Sequence, residues 1–460
     1  MNGRPSVVTI GRTGRAGTVP AVLGLALGLG LALAGCGGPE RANVPPPQAS
    51  VRVKLGVEVF LEKHLDLVKG KRVGLITNPT GTDSSLRTTI DLLLTNPSVK
   101  LVALYGPEHG VRGDAQAGQY VPFYVDRKYG IPEYNLPVFS LYGQSMKPEP
   151  GMLNNIDEFM RSFDTQKTGK VPEASMVGGV DVMIFDIQDV GTRVYTYVAT
   201  MAYSMQAAAE NGVEFIVLDR PNPIDGENME GPMLEYPEFS SFIGLFPIPL
   251  RFGMTAGELA RLFNDKFLAR TAKLTVIPME GWTRSMWFDQ TGLPWIIPSP
   301  NMPTLDTATV YPGLVALEGT NLSEGRGTTK PFEFFGAPWI DGFDLAKTLN
   351  GLGLPGVRFR EAWFTPSFSK FQGELCGGCQ LHVTDRAAFR PFATVLQIIK
   401  TVRDAYPGKF EFHVSYFDQV MGTASVRKAL EAGTDVATIL ANIQPGLDAF
   451  AVLRKPYLLY

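Results

Sequence analysis

The strongest constraint on the fold is a repeated pattern of five short apolar, β-branched runs separated by segments of helical period. The runs are Arg72–Thr77 (RVGLIT), Lys100–Tyr105 (KLVALY), Val180–Phe185 (VDVMIF), Glu214–Leu218 (EFIVL) and Lys273–Ile277 (KLTVI). Nearly continuous apolar runs of this length suit strands covered on both faces. Between them Leu86–Leu94, Tyr197–Asn211 and Thr255–Phe267 carry helical spacing, and Thr255 with Glu258 has the spacing of a capping box. Strands alternating with helices predict an α/β fold built on a Rossmann-like parallel sheet.

Two stretches break the alternation. Gly106–Gly179 is crowded with Pro, Tyr and Gly, and a long excursion at a strand end reads as a functional insertion. Beyond Pro278 the pattern changes: Trp282–Asp341 is rich in Pro, Gly and Trp, while Phe389–Arg403 and Ser425–Leu440 look helical. A chain of 460 residues exceeds one ordinary domain. The reading is therefore an N-terminal domain over 52–279 and a smaller α+β C-terminal domain over 280–460. The last eleven residues, Phe450–Tyr460, are too apolar for a loose tail and are expected to pack back on the body.

The N-terminus is chemically different. Arg4, Arg12 and Arg15, with no acid among them, precede an apolar run from Val19 to Ala34. That run is shorter than the roughly 20 residues a membrane-spanning helix needs and has the layout of a secretory signal over 1–35. Its end, Leu33-Ala34-Gly35-Cys36, resembles the lipobox of bacterial lipoproteins, in which the cysteine is lipidated; the rival reading is a freely secreted chain. Two or more acyl chains anchor a protein stably. Residues 36–51, rich in Pro, Gly and small residues, read as a tether. The expected location is the cell envelope, with the folded part lipid-anchored to a membrane and facing the periplasm or the outside. In such an oxidising compartment Cys376 and Cys379 form a local disulfide or stay as free thiols. A zinc site needs a second ligand pair, and only His382 lies near, so no metal is expected.

The formal charge of −3, from 42 basic and 45 acidic residues, excludes a nucleic-acid binder that works through a basic surface. Ligands of open parallel sheets bind outside the carboxyl ends of the strands, so the residues after each run are the candidates. They are Thr77-Asn78-Pro79-Thr80-Gly81, Gly106-Pro107-Glu108-His109-Gly110, Asp186-Ile187-Gln188-Asp189-Val190-Gly191 and Asp219-Arg220-Pro221-Asn222-Pro223. A second dense polar stretch, Glu318 to Thr329, sets Asn321, Glu324 and Arg326 among glycines that allow close backbone approach.

These segments carry a resemblance. Gly-Pro-Glu-His-Gly at 106–110, Phe-Asp-Ile-Gln-Asp-Val-Gly-Thr-Arg at 185–193, Asp-Arg-Pro-Asn-Pro at 219–223 and Glu-Gly-Thr-Asn-Leu-Ser-Glu-Gly-Arg-Gly-Thr at 318–328 resemble the NamZ/YbbC family, once known only as a domain of unknown function. The resemblance runs from about Leu55 to Tyr460. It implies an exo-β-N-acetylmuramidase that acts without cofactor on peptidoglycan fragments, either muropeptides or oligosaccharides of N-acetylmuramic acid and N-acetylglucosamine. It also implies an active site in the cleft between a Rossmann-like N-terminal domain and the smaller C-terminal one.

Glycoside hydrolysis usually needs a proton donor and a second carboxylate that attacks carbon or activates water. Glu108 is the first choice as acid, on a strand-end loop where partial burial would raise its pKa; the Glu of this motif is also the one the resemblance marks as catalytic. For the second carboxylate Glu324 leads, followed by Asp189 and Asp186. An anionic sugar calls for a cation, and Arg193, Arg220 and Arg326 stand in the motifs. Arg326 leads, with a salt bridge to Glu318 or Glu333 as its structural alternative. Tyr195 and Tyr197 form a sugar-stacking wall or pack in the core, and His109 orients Glu108. Asn78, Asp219 and Asn321 complete the candidate substrate-binding set. Gly351–Gly356 fits G-x-G-x-x-G but has no strand before it, so nucleotide binding is unsupported. Ser367-Phe-Ser-Lys370 and Lys167-Thr-Gly169 occur in the reverse order of the penicillin-binding motifs. Two rival functions stay open: a lipid-tethered muropeptide-binding protein without chemistry, and a hydrolase of another amino sugar.

Overall fold

In a computed structural model of the chain, residues 52–121, 124–127, 135–143, 145–160 and 178–460 are described. The signal, Cys36, the tether and Lys167-Thr-Gly169 lie outside the described residues. All five runs become strands of one sheet, which also takes in two strands from the excursion. The strands are β1 (Arg72–Thr77), β2 (Lys100–Gly106), β3 (Tyr124–Arg127), β4 (Asn135–Ser140), β5 (Val182–Asp186) and β6 (Glu214–Leu218). A two-stranded ribbon, β7 (Glu230–Met233) and β8 (Pro249–Arg251), precedes the last of them, β9 (Leu274–Ile277). The order is β3-β4-β2-β1-β5-β6-β9, with every neighbour parallel except the edge pair β3 and β4.

The apolar runs lack alternation because both faces of the sheet are covered. Leu75, Leu104, Ile184 and Ile216 point to one side with Phe60 of the helix Gly56–Lys63. Their chain neighbours Ile76, Tyr105, Phe185 and Val217 point to the other, against the helices Tyr197–Asn211 and Ala256–Lys266, as the period of 2 in a strand requires. The capping box forms as read: the Thr255 hydroxyl accepts from the Glu258 amide and Glu258 accepts from the Thr255 amide. The chain lays down β1, β2 and β4 outward and then returns to place β5 beside β1, so the strand order reverses there and all the loops after the strands gather at one edge.

In the second half the helix Leu305–Leu314 packs near Pro391–Ala405, beside an antiparallel sheet of β10 (Phe334–Ala337), β11 (Val357–Phe364) and β12 (Cys376–Val383) in the order β10-β12-β11. One apolar cluster runs from Ile76 through Phe392 to Phe450, so both halves share a continuous core. The helical reading of Ser425–Leu440 splits into Ser425–Glu431 and Val436–Arg454, parted by Gly433 at φ +77° and restarted by the Asp435 cap. The tail does pack back: the Tyr460 hydroxyl donates to Asp219 at 2.8 Å and accepts from the Met279 amide at 2.8 Å.

The local disulfide is corrected. Cys376 and Cys379 are free, buried thiols three residues apart in the extended strand β12, which spreads their Cα atoms to about 10 Å, beyond the roughly 7 Å a disulfide spans. Burial pushes their pKa up to about 11 and about 12.

Candidate active site

A cleft of about 760 Å³ opens between the β2 and β5 loop ends on one wall and residues 318–332, 368–370 and Tyr416 on the other. Glu108, His109, Tyr195, Glu324 and Arg326 all line it.

Glu108 leaves the end of β2 and is 9% exposed. Its Oε1 accepts from the Gly118 amide at 3.0 Å and its Oε2 from the Thr196 hydroxyl at 2.8 Å. The Tyr142 hydroxyl faces the same carboxylate, and burial, reinforced by that charge, pushes its pKa up to about 12. His109 adopts φ +71°, the left-handed region that a non-glycine residue occupies only under local constraint. Its Nδ1 lies 2.7 Å from the Ala115 carbonyl. A carbonyl only accepts, so Nδ1 carries the hydrogen and Nε2 is left as an acceptor. Burial lowers the His109 pKa, partly offset by Glu108, which favours the neutral ring.

On the opposite wall Arg326 donates to Glu318 Oε1 from Nε at 3.2 Å and from Nη2 at 2.7 Å, and lies over the Phe332 ring at 5.1 Å. The salt-bridge alternative is thus realised with Glu318, while Nη1 has no hydrogen-bond partner. Burial opposes the Arg326 charge, but Glu318 and Glu324 outweigh it and raise the pKa. Glu318 also accepts from Tyr416 at 2.9 Å. Glu324, 2% exposed, has Lys370 Nζ at 3.0 Å from Oε2 and Arg326 Nε at 3.5 Å from Oε1. Neither ion pair has hydrogen-bond geometry, and Oε2 has no hydrogen-bond partner. Tyr195 meets the cleft while its ring packs edge-to-face on Tyr197 at 4.9 Å and Tyr311 at 5.8 Å, so its faces belong to the core. Tyr197 is core, with its hydroxyl donating to the Pro298 carbonyl.

Seven candidates do not line the cleft. Asp186 and Arg220 are spent on each other, with Nε to Oδ1 at 2.6 Å and Nη2 to Oδ2 at 2.9 Å, across the ends of the adjacent strands β5 and β6. Arg193 donates to four carbonyls, Pro232, Ile248, Val420 and Met421, at 2.7–3.0 Å. It ties the ribbon region to the helix Val414–Met421, and burial lowers its pKa to about 9. Asp219 accepts from Thr255, the Gly257 amide and Tyr460, which makes it an anchor for a helix start and the C-terminus. Asn78 accepts from the Thr80 amide and hydroxyl within its turn. Asn321 holds the Lys409 carbonyl and the Glu411 amide. Asp189 does not line the cleft either: its Oδ2 accepts from the Gly191 amide at 2.7 Å, Oδ1 has no partner, and burial pushes its pKa up to about 7.

Thr196, Tyr142, Glu318, Lys370 and Tyr416 are cleft residues that the sequence reading missed. Thr196 adjoins Tyr195 and Lys370 ends the S-x-x-K match, so both were within sight of a motif; Tyr142 and Tyr416 carried no signal. Among the described residues no three His, Cys, Asp or Glu side chains converge as metal ligands.

The N-terminal model of the exo-β-N-acetylmuramidase NamZ family matches residues 73–170 and 160–306, and its C-terminal model matches 309–460. The chain is 52% identical over 410 residues to the peptidoglycan β-N-acetylmuramidase NamZ of Bacillus subtilis (strain 168), covering 89% of this chain and 92% of that one. Two crystal structures of DUF1343 family proteins from Bacteroides fragilis NCTC 9343 superpose with TM-scores of 0.77 and 0.66 at 38% and 29% identity, each spanning 89% of this chain and 99% of its own. With the same carboxylate-bearing motifs meeting in one cleft, this chain belongs to the NamZ family of exo-β-N-acetylmuramidases.

Proposed function

We propose that the chain is an exo-acting glycosidase that releases terminal β-1,4-linked N-acetylmuramic acid from peptidoglycan fragments in cell-wall turnover, with Glu108 as proton donor and Glu324 as second carboxylate. The observation that carries this reading is that both carboxylates line one cleft from opposite walls, as acid and partner must in glycoside hydrolysis. The Gly118 amide can only donate, so Glu108 Oε1 stays an acceptor and the transferable proton belongs on Oε2, beside the rotatable Thr196 hydroxyl. That proton passes to the bridging oxygen as its bond to the anomeric carbon breaks, and Glu324 either attacks that carbon or takes a proton from the attacking water. The free Nη1 of Arg326 is a donor for the lactyl carboxylate and His109 Nε2 an acceptor for the acetamido N–H. Tyr142, Phe368 and Tyr416 offer aromatic surface beside the sugar.

The sequence of the first 50 residues supports an envelope location with lipid on Cys36. The experiment is a panel of chromogenic glycosides of N-acetylmuramic acid and N-acetylglucosamine. Release of the first only is expected. Equal release of both removes the substrate assignment, and binding without release leaves the muropeptide-binding protein.

A further inference from the structure

Lys370 belongs to no motif of the proposed site, yet it is the closest cation to Glu324. Its Nζ donates to the carbonyls of Leu317 at 2.8 Å, Glu318 at 3.2 Å and Leu322 at 2.9 Å. An ammonium has three protons, so all are committed before Glu324 is reached. Glu324 Oε2, 3.0 Å away, receives positive charge but no hydrogen. On the other side Arg326 turns its Nε and Nη2 to Glu318 and leaves Glu324 Oε1 with charge at 3.5 Å. A carboxylate paired through hydrogen bonds has its lone pairs occupied, whereas this one is stabilised by two cations with lone pairs uncommitted.

The backbone holds Lys370 there with care. Ser367 donates to the Gly327 carbonyl from both its amide and its hydroxyl at 2.9 Å. Gly327 lies at φ +81°, and a side chain there would meet the Phe368 carbonyl at 2.5 Å, so only glycine lets the two loops touch. Ser369 at φ +72° and Phe371 at φ +57° flank Lys370 in the left-handed region. Strain of that kind persists where the surroundings over-determine it and concentrates at functional sites.

We propose that Lys370 is a positioning residue that holds positive charge against Glu324 while leaving its Oε2 free of hydrogen bonds. The inference rests on the reading of Glu324 as the second carboxylate. The charged and titratable groups around the pair are Arg326 and Glu318 on the same segment, Tyr416 from the helix Val414–Met421, Tyr311 from Leu305–Leu314, and Glu108 and His109 across the cleft.

The test is the split of kcat against KM for the full chain, with the melting temperature of each variant beside it. Lys370→Gln keeps amide donors for the carbonyls but removes the charge, so kcat should fall at least about tenfold while KM stays within about twofold. Lys370→Arg keeps the charge and should hold kcat within about threefold of the parent. A purely structural lysine would lower the melting temperature of Lys370→Gln and leave kcat of the folded enzyme in place, which overturns the proposal. If Lys370→Gln does not fold, the arginine variant decides: a kcat below about a tenth of the parent despite the retained charge overturns the proposal. Should Glu324→Gln retain parental turnover, the underlying reading of Glu324 fails instead, which separates the two.

Discussion

Replacing Glu108 by Gln removes one proton and little else. The side-chain carbonyl of Gln can keep accepting from the Gly118 amide, now at 3.0 Å from Oε1. The amide nitrogen then faces Thr196, whose hydroxyl sits 2.8 Å from Oε2; a hydroxyl both donates and accepts, so it turns to accept instead. No buried group is left unpaired, and stability should change by less than about 1 kcal/mol. Catalysis should fall much further, because proton transfer by a placed acid contributes about 10²–10⁴-fold, or roughly 3–5 kcal/mol of barrier. The diagnostic is the leaving group. With N-acetylmuramic acid linked to N-acetylglucosamine the departing alkoxide needs the proton, and the full loss should appear. With a nitrophenyl aglycone the departing oxygen is stable without it, and the loss should be about tenfold or less. Equal losses on both substrates, or turnover of the disaccharide above about a tenth of the parent, would refute Glu108 as the acid.

Two further outcomes test the residues that the structure moved out of the site. Arg193→Met strands four buried carbonyls, so the urea midpoint should fall by the equivalent of at least about 3 kcal/mol, while KM of the folded enzyme stays unchanged; a raised KM without destabilisation would return Arg193 to substrate binding. Asp189 carries a buried pKa of about 7, above its unfolded value near 3.9. The folded state therefore holds the extra proton between these values, and stability should decline as pH rises from about 4 to about 7. Asp189→Asn should flatten that decline, which at full scale is on the order of 4 kcal/mol, in melts across the range; an unchanged slope refutes the assignment.

Strands β1, β2, β5 and β6 were legible because both faces of each are buried, which forces continuous apolar runs, and the edge strand β9 was legible from its apolar run although only Ile277 in it is fully buried. Strands β3 and β4 were not: β4 carries Pro137, and β3, Tyr-Val-Asp-Arg, is a four-residue antiparallel edge strand. Strand-end position found Glu108 and His109 but also selected Asp186, Asp219 and Arg220, because the same edge supplies the caps and ion pairs that close the loops. Knowing that β5 and β6 are neighbours would have paired Asp186 with Arg220, but adjacency is a property of sheet order rather than of spacing along the chain. Lys370 lies 46 residues beyond Glu324 and meets it only because Gly327 admits the second loop, a contact that no local pattern encodes.

The charge balance of the cleft also decides how it can take an anionic sugar. Among the described lining residues Glu108, Glu318 and Glu324 face Arg326 and Lys370. With the transferable proton on Glu108 the two cations match the two remaining carboxylates, and no net positive field awaits the lactyl group. Both cations are already engaged, Lys370 by three carbonyls and Arg326 by Glu318. Recognition must then rest on directed donors such as Arg326 Nη1 rather than on attraction at a distance. Salt separates the two modes, since screening shortens the Debye length from about 10 Å at 0.1 M to about 3 Å at 1 M. KM for an N-acetylmuramic acid glycoside should change by less than about twofold across that range. A steep rise of KM with salt would mean that a surplus of positive charge guides the substrate, and the neutral-cleft argument would fall.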